Sequence, residues 1–152
     1  MLKEDSWNVW MNKEYYNEEL LKEMRNYYKL LFDKLNIDTQ NKSAIEIGAG
    51  HGITTEVFIP LFKKFTATEP NKFLYDELEK LKNKYDTLLT INTSCEKLQE
   101  VNKKLSFIIF TYSFLFTNKQ ECINVCNKIL KRDGYLLILD PFRPLKLDDN
   151  FE

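Results

Sequence analysis

Ala44-Ile45-Glu46-Ile47-Gly48-Ala49-Gly50-His51-Gly52 decides the fold. A short apolar run of strand length passes directly into three glycines spaced two apart, and a helical stretch follows. Glycines at such a turn let the backbone bend sharply and let a ligand approach main-chain atoms that a Cβ would block. The concentration carries the signal, because the 152 residues hold only four glycines. The fourth, Gly134, follows Leu130-Lys131-Arg132-Asp133. Basic residues in a last turn and then a residue free to become left-handed predict a helix stop just before a strand.

Working outward, short runs rich in β-branched and aromatic residues recur at 44–47, 65–68, 88–91, 107–110 and 135–139. Between them lie helical patterns at 54–62, 71–85, a short 96–101 and 119–130, with spacings such as Leu74, Leu78, Leu81 and Tyr85. Strands alternating with helices imply right-handed crossovers and a parallel sheet covered on both faces, an α/β doubly wound fold. Upstream, residues 5–35 read as helical, with Trp7, Trp10, Met11, Tyr15 and Tyr16 forming an aromatic cluster near the start. The reading is one domain over 1–152: an N-terminal helical segment 1–40, an α/β core 43–140 and a tail 141–152.

Composition excludes more than it suggests. At 43% hydrophobic and 14% aromatic the chain is too apolar for disorder. With 22 basic and 23 acidic residues it lacks a broad electrostatic footprint for DNA or structured RNA. There is neither a signal-peptide pattern nor a run of about 18 apolar residues, so a soluble, cytoplasmic protein is expected. The three cysteines, Cys95, Cys122 and Cys126, are scattered and the chain has one histidine, so no metal site is expected. Cys122 and Cys126, one turn apart, fit the buried face of a helix.

The second strand ends at Glu69, 21 residues after Gly48. In a doubly wound sheet the carboxyl ends of adjacent strands line one crevice, where a carboxylate can accept both hydroxyls of a ribose. A dinucleotide fingerprint counted from Gly48 needs a third glycine where Ile53 stands. No phosphate loop of the GxxxxGK[ST] type occurs. A nucleoside cofactor without a pyrophosphate fits better.

These residues resemble the class I S-adenosylmethionine-dependent methyltransferases. Glu46 to Gly52 matches that family's acid-x-Gly-x-Gly-x-Gly motif, and Glu69 the acid that holds the ribose. Thr93-Ser94-Cys95-Glu96-Lys97-Leu98 looks like the stretch flanking adenine, and 105–112 and 130–140 resemble the fourth strand and the fifth with its preceding helix end. The resemblance implies S-adenosylmethionine as cofactor and a binding set of Glu46, Gly48, Ala49, Gly50, Gly52, Glu69, Pro70, Ser94, Cys95, Glu96, Phe110 and Thr111. It also implies a Rossmann-like sheet, here read as five strands in the order 3-2-1-4-5 with the family's sixth and seventh absent. Ser94 and Ser106 stand where the family usually has acids. Residues 53–74 look most like protein methyltransferases acting on α-amino termini, and next most like those acting on histidine.

Methyl transfer from a sulfonium is an in-line displacement, so few catalytic groups are needed. Asp140 and Tyr112, at the ends of the fifth and fourth strands, are the catalytic candidates; Asp140 reads equally as a turn residue before Pro141. His51 reads as a spacer, and Trp7, Trp10, Tyr15 and Tyr16 as either a lid or a cap on the sheet. The expected acceptor is a protein or a small molecule, with a homodimer or partner contact at the fifth-strand edge. The rival reading is a catalytically inactive methyltransferase-like subunit; a nicotinamide-dependent oxidoreductase comes third, against Ile53.

Overall fold

The structure is a computed structural model and describes residues 16–100 and 104–139. Strands β1 (Ser43–Ile47), β2 (Lys64–Thr68), β3 (Leu88–Ile91), β4 (Leu105–Thr111) and β5 (Leu130–Leu139) form one sheet in the order β3-β2-β1-β4-β5. Each neighbouring pair is parallel. The order reverses between β1 and β4, which places a crevice over the carboxyl ends of those strands. Residues 1–15 and 140–152 lie outside the description, and with them Trp7, Trp10, Tyr15, Asp140 and the tail. Among the described residues no helix is long and apolar enough to cross a membrane.

Among the described residues the α-helices are α1 (Glu18–Lys34), which precedes β1, and α2 (Ile53–Phe58), α3 (Lys72–Glu79) and α4 (Lys119–Ile129) between strands. Three of them start on asparagine: Asn17, Asn71 and Asn118 each accept a hydrogen bond from a backbone N–H of the first turn. Only α2 starts differently, on left-handed Gly52. It also ends earlier than its apolar spacing predicts, giving way to a 3₁₀ turn at Ile59–Leu61. Pro60 has no N–H to offer the carbonyl of Glu56 four residues back. Arg25 of α1 fills that gap, donating from Nη2 to the Glu56 carbonyl at 3.1 Å, and so ties α1 to α2.

Alternation along β1 and β4 divides the core in two. On one face Phe65, Ala67, Phe107 and Ile109 pack against Phe32 of α1, Phe58 of α2 and Leu78 of α3. Phe107 is edge-on to Phe32 and Phe62, at centroid distances of 5.7 and 5.0 Å. On the other face Ile45, Ile47, Ile108 and Phe110 meet Cys122, Val125, Cys126 and Ile129 of α4. Cys122 and Cys126 thus occupy the buried helix face that their spacing predicts.

The reading of Gly134 as a helix stop is corrected. Helix α4 ends at Ile129, and Leu130 is already extended and paired with Leu105. The next pairs step from Phe107 with Tyr135, so β4 advances two residues while β5 advances five. Lys131 to Gly134 form the bulge, and Gly134 is not left-handed. What excludes a side chain there is crowding: a Cβ would lie 2.7 Å from the Leu130 side chain.

Candidate functional site

The pleat of β1 turns Glu46 into the sheet face that carries Ala44, where it is wholly buried. A buried carboxylate is costly unless it is hydrogen-bonded. The hydroxyls of Thr54 and Thr55, in the first turn of α2, donate to its two oxygens at 2.5 Å each. Burial pushes the Glu46 carboxyl above the usual range, and the threonine hydroxyls pull it back. Thr111 at the end of β4 lies close enough to favour the charged form without closing a hydrogen bond of ordinary geometry. Glu46 therefore anchors α2, and the glycine turn leading into it, to the end of β1.

Gly48, Gly50 and Gly52 are all left-handed, with φ of 72°, 57° and 85°. Their surroundings differ. A Cβ on Gly48 would lie 2.6 Å from Cβ of Ser113, whose hydroxyl donates to the Ile47 carbonyl. One on Gly52 would lie 2.5 Å from Leu81 and 2.8 Å from Leu78. One on Gly50 would meet nothing within 4 Å. Two of the glycines serve packing, and Gly50 alone faces open space.

Glu69 stands beside that opening. Gly50 donates its N–H to Oε2 at 2.8 Å and Asn71 donates to Oε1 at 2.9 Å. A carboxylate offers about four acceptor positions, so two backbone donors leave capacity for two hydroxyls. The strand end is pinned by Asn92, whose amide donates to the Glu69 carbonyl at 2.7 Å. Exposed Pro70 follows Glu69, and half-buried Ser94 and Glu96 lie in the segment after β3. Burial would raise the Glu96 carboxyl, but hydrogen bonds from its own backbone, Ser94 and Asn118 hold it below the usual range. A carboxylate is thus present two residues beyond the serine that departs from the family pattern.

Two members of the expected binding set are turned away. Cys95 is cross-linked to Cys122, and Phe110 is fully buried in the α4-side core. Only their backbone remains available to a ligand, since alternation sends the Phe110 side chain to the opposite face from Thr111. Thr111 is buried on the sheet face of Glu46, and its hydroxyl lies toward that carboxylate. Ala49 is buried, its N–H donating to the Thr68 carbonyl at 2.8 Å. Sequence reasoning missed Thr54, Thr55, Asn92 and Ser113. Hydroxyl and amide residues at helix starts and strand ends carry no local signal that separates such contacts from ordinary capping.

The end of β4 is built differently. Tyr112, immediately after β4, is left-handed at φ 57° and 44% exposed. That conformation is strained for a bulky side chain, and such strain clusters at functional sites. Tyr16 and Tyr28 approach it: burial first, then the neighbouring Tyr112, raises both phenols. Leu115 and Phe116 continue an exposed apolar rim, and half-buried His51 lies between Gly50 and Gly52.

The family model of the ribosomal RNA adenine dimethylases matches residues 11–122. The chain belongs to the ribosomal RNA adenine dimethylase family. No curated protein matches. Among solved structures, an S-adenosylmethionine-dependent methyltransferase from Clostridium acetobutylicum is 14% identical with TM-score 0.66, covering 88% of this chain and 56% of its own. Phosphoethanolamine N-methyltransferase 1 of Haemonchus contortus, in complex with phosphoethanolamine and S-adenosylhomocysteine, is 17% identical with TM-score 0.63, covering 88% of this chain and 30% of its own. The glycopeptide N-methyltransferase MtfA, complexed with S-adenosylmethionine, is 14% identical with TM-score 0.63, covering 78% and 53%. This member of the dimethylase family thus has the class I methyltransferase fold and spans between 30% and 56% of those chains. The resemblance of residues 53–74 to protein α-N-terminal or histidine methyltransferases finds no support in these matches.

Proposed function

We propose that the protein is a methyltransferase that binds S-adenosylmethionine across the carboxyl ends of β1, β2 and β4. The observation that carries this is the pairing of Gly50, open where a Cβ would project, with Glu69, whose carboxylate keeps acceptor capacity. Glu69 would hold the ribose hydroxyls, the segment 94–96 the adenine, and the turn 48–52 with Thr111 the methionine end. The cofactor supplies a methyl group already activated on a sulfonium. The chain's own task is to fix that group against an acceptor and to exclude water. Fixed backbone donors and a glycine turn locked by Glu46 serve the first, and the rim of Tyr112, Leu115 and Phe116 the second.

The acceptor in this reading is a nitrogen. The matching family is described by adenine dimethylation, and two of the similar folds are N-methyltransferases. An exposed aromatic rim suits a planar or cationic nitrogen group, which π faces attract. Protein and small-molecule amines are therefore to be tested beside an adenine-containing RNA. The alternative, an inactive methyltransferase-like subunit, is favoured by Ser94 and Ser106 standing in place of acids. Calorimetry with S-adenosylmethionine, S-adenosylhomocysteine and NAD is expected to show the first two binding and NAD not. Transfer of a labelled methyl group, scored separately on RNA, protein and small-molecule fractions, then identifies the acceptor. Binding without transfer to any fraction would select the inactive reading, and no binding would overturn the cofactor site.

A further inference from the structure

The three cysteines that the sequence scatters converge. Their sulfurs lie within 4.8 Å of one another, all buried, on the sheet face opposite Glu46. Cys95 and Cys122 form a disulfide with a Cα–Cα distance of 5.7 Å, inside the range that a cross-link needs. Cys126 is free and its thiol is pushed up to about 11 by burial, so it stays protonated at neutral pH. No histidine, aspartate or glutamate joins the three among the described residues. A thiophilic metal would leave three thiolates in an apolar pocket of Ile45, Ile47, Ile108 and Phe110 without a fourth protein donor.

The cross-link joins the segment proposed to hold the adenine to a core helix: Cys95 lies between Ser94 and Glu96, after β3, and Cys122 lies on α4. The same junction is closed independently by the Asn118 N–H, which donates to Glu96 Oε1 at 3.1 Å. Reduced thiols at both positions would still pack as small apolar groups. The segment can therefore stay docked in either redox state, held more tightly in one.

We infer that Cys95 and Cys122 form a redox lock on the cofactor-binding segment, closed by a small-molecule disulfide such as glutathione disulfide, which reaches the buried thiols when the segment after β3 opens transiently from α4. Closing forms the Cys95–Cys122 bond: the two thiols give two electrons and two protons to the small disulfide, which leaves as two thiols. Opening is the reverse, with a reducing dithiol taking the bond apart. The locked state pre-organises residues 94–96 and binds cofactor more tightly. This inference rests on the proposed cofactor site.

The test uses the full chain equilibrated with glutathione disulfide or with dithiothreitol. Thiol titration in denaturant is expected to give one thiol (Cys126) in the first sample and all three in the second. Calorimetry with S-adenosylhomocysteine is expected to show about three- to tenfold weaker binding after reduction, the loss of a pre-organised segment. Cys122→Ser should bind like the reduced chain and ignore dithiothreitol, and Cys126→Ser should keep the redox response. If Cys122→Ser does not fold, the wild-type comparison alone decides. Three titratable thiols after oxidant, stoichiometric zinc, or equal affinity in both states overturns the lock while leaving the cofactor site standing. Absence of binding in both states overturns the site and the lock together.

Discussion

The two halves of the carboxyl edge obey different rules. At the ends of β1 and β2 each functional group is held by several directed bonds. Glu46 takes two threonine hydroxyls, Glu69 takes two backbone N–H groups, and the glycine turn is wedged by Ser113, Leu78 and Leu81. Past the end of β4, Tyr112, Leu115 and Phe116 are exposed, and Tyr112 is strained. A methyl donor has one fixed shape, which rewards rigid placement of each contact. Under the proposed function, an acceptor site must admit and release its substrate, and a strained, exposed rim suits that.

The sharpest way to break the comparison is at the wedge. Gly48→Val combines a left-handed position with a collision against Ser113, and is expected to cost about 3 kcal/mol or more of stability, read by chemical denaturation. Next comes Glu69→Ala. It should weaken S-adenosylhomocysteine binding about a hundredfold, since charge-assisted hydrogen bonds are lost and the Gly50 and Asn71 donors are left unpaired. Gly50→Ala separates ligand from packing. Its stability cost should be confined to about 1 kcal/mol of left-handed strain, while calorimetry shows binding weakened about tenfold as the new methyl fills the open space.

At Tyr112 the sign reverses. Tyr112→Gly relieves strain and should stabilise the fold by up to about 1 kcal/mol. Labelled methyl transfer should fall while S-adenosylhomocysteine affinity changes little; a fall in both stability and affinity would place Tyr112 with the rigid half. The smallest effect is a pH slope. Glu46 is raised above its ordinary value of 4.5 in the folded chain, so its contribution to stability is full below that pH and is lost as pH rises toward the folded value. Glu46→Gln should flatten that slope in thermal melts taken from pH 4 to 7.

Sequence reading reached the strand–helix alternation, the glycine turn and Glu69, because each leaves a local trace. A period of two, a period near 3.6 and a cluster of glycines are all visible without a partner. It failed at Gly134, where a basic last turn and a glycine imitate a helix stop. The pairing of Leu130 with Leu105 on another strand overrode that local preference. It also treated the three motif glycines alike, since the atoms that crowd Gly48 and Gly52 come from residues 26 to 65 positions away.

By itself the sequence determined the parallel α/β plan and the place of the glycine turn between β1 and its helix, because periodicity and turn chemistry are properties of neighbours along the chain. The tertiary structure alone decided that Gly50 is the open glycine, that Glu46 is spent on Thr54 and Thr55, and that Cys95 reaches Cys122 across 27 residues. Those facts depend on which side chains packing brings within a few ångströms, and that distance is set by the sheet and its helices together.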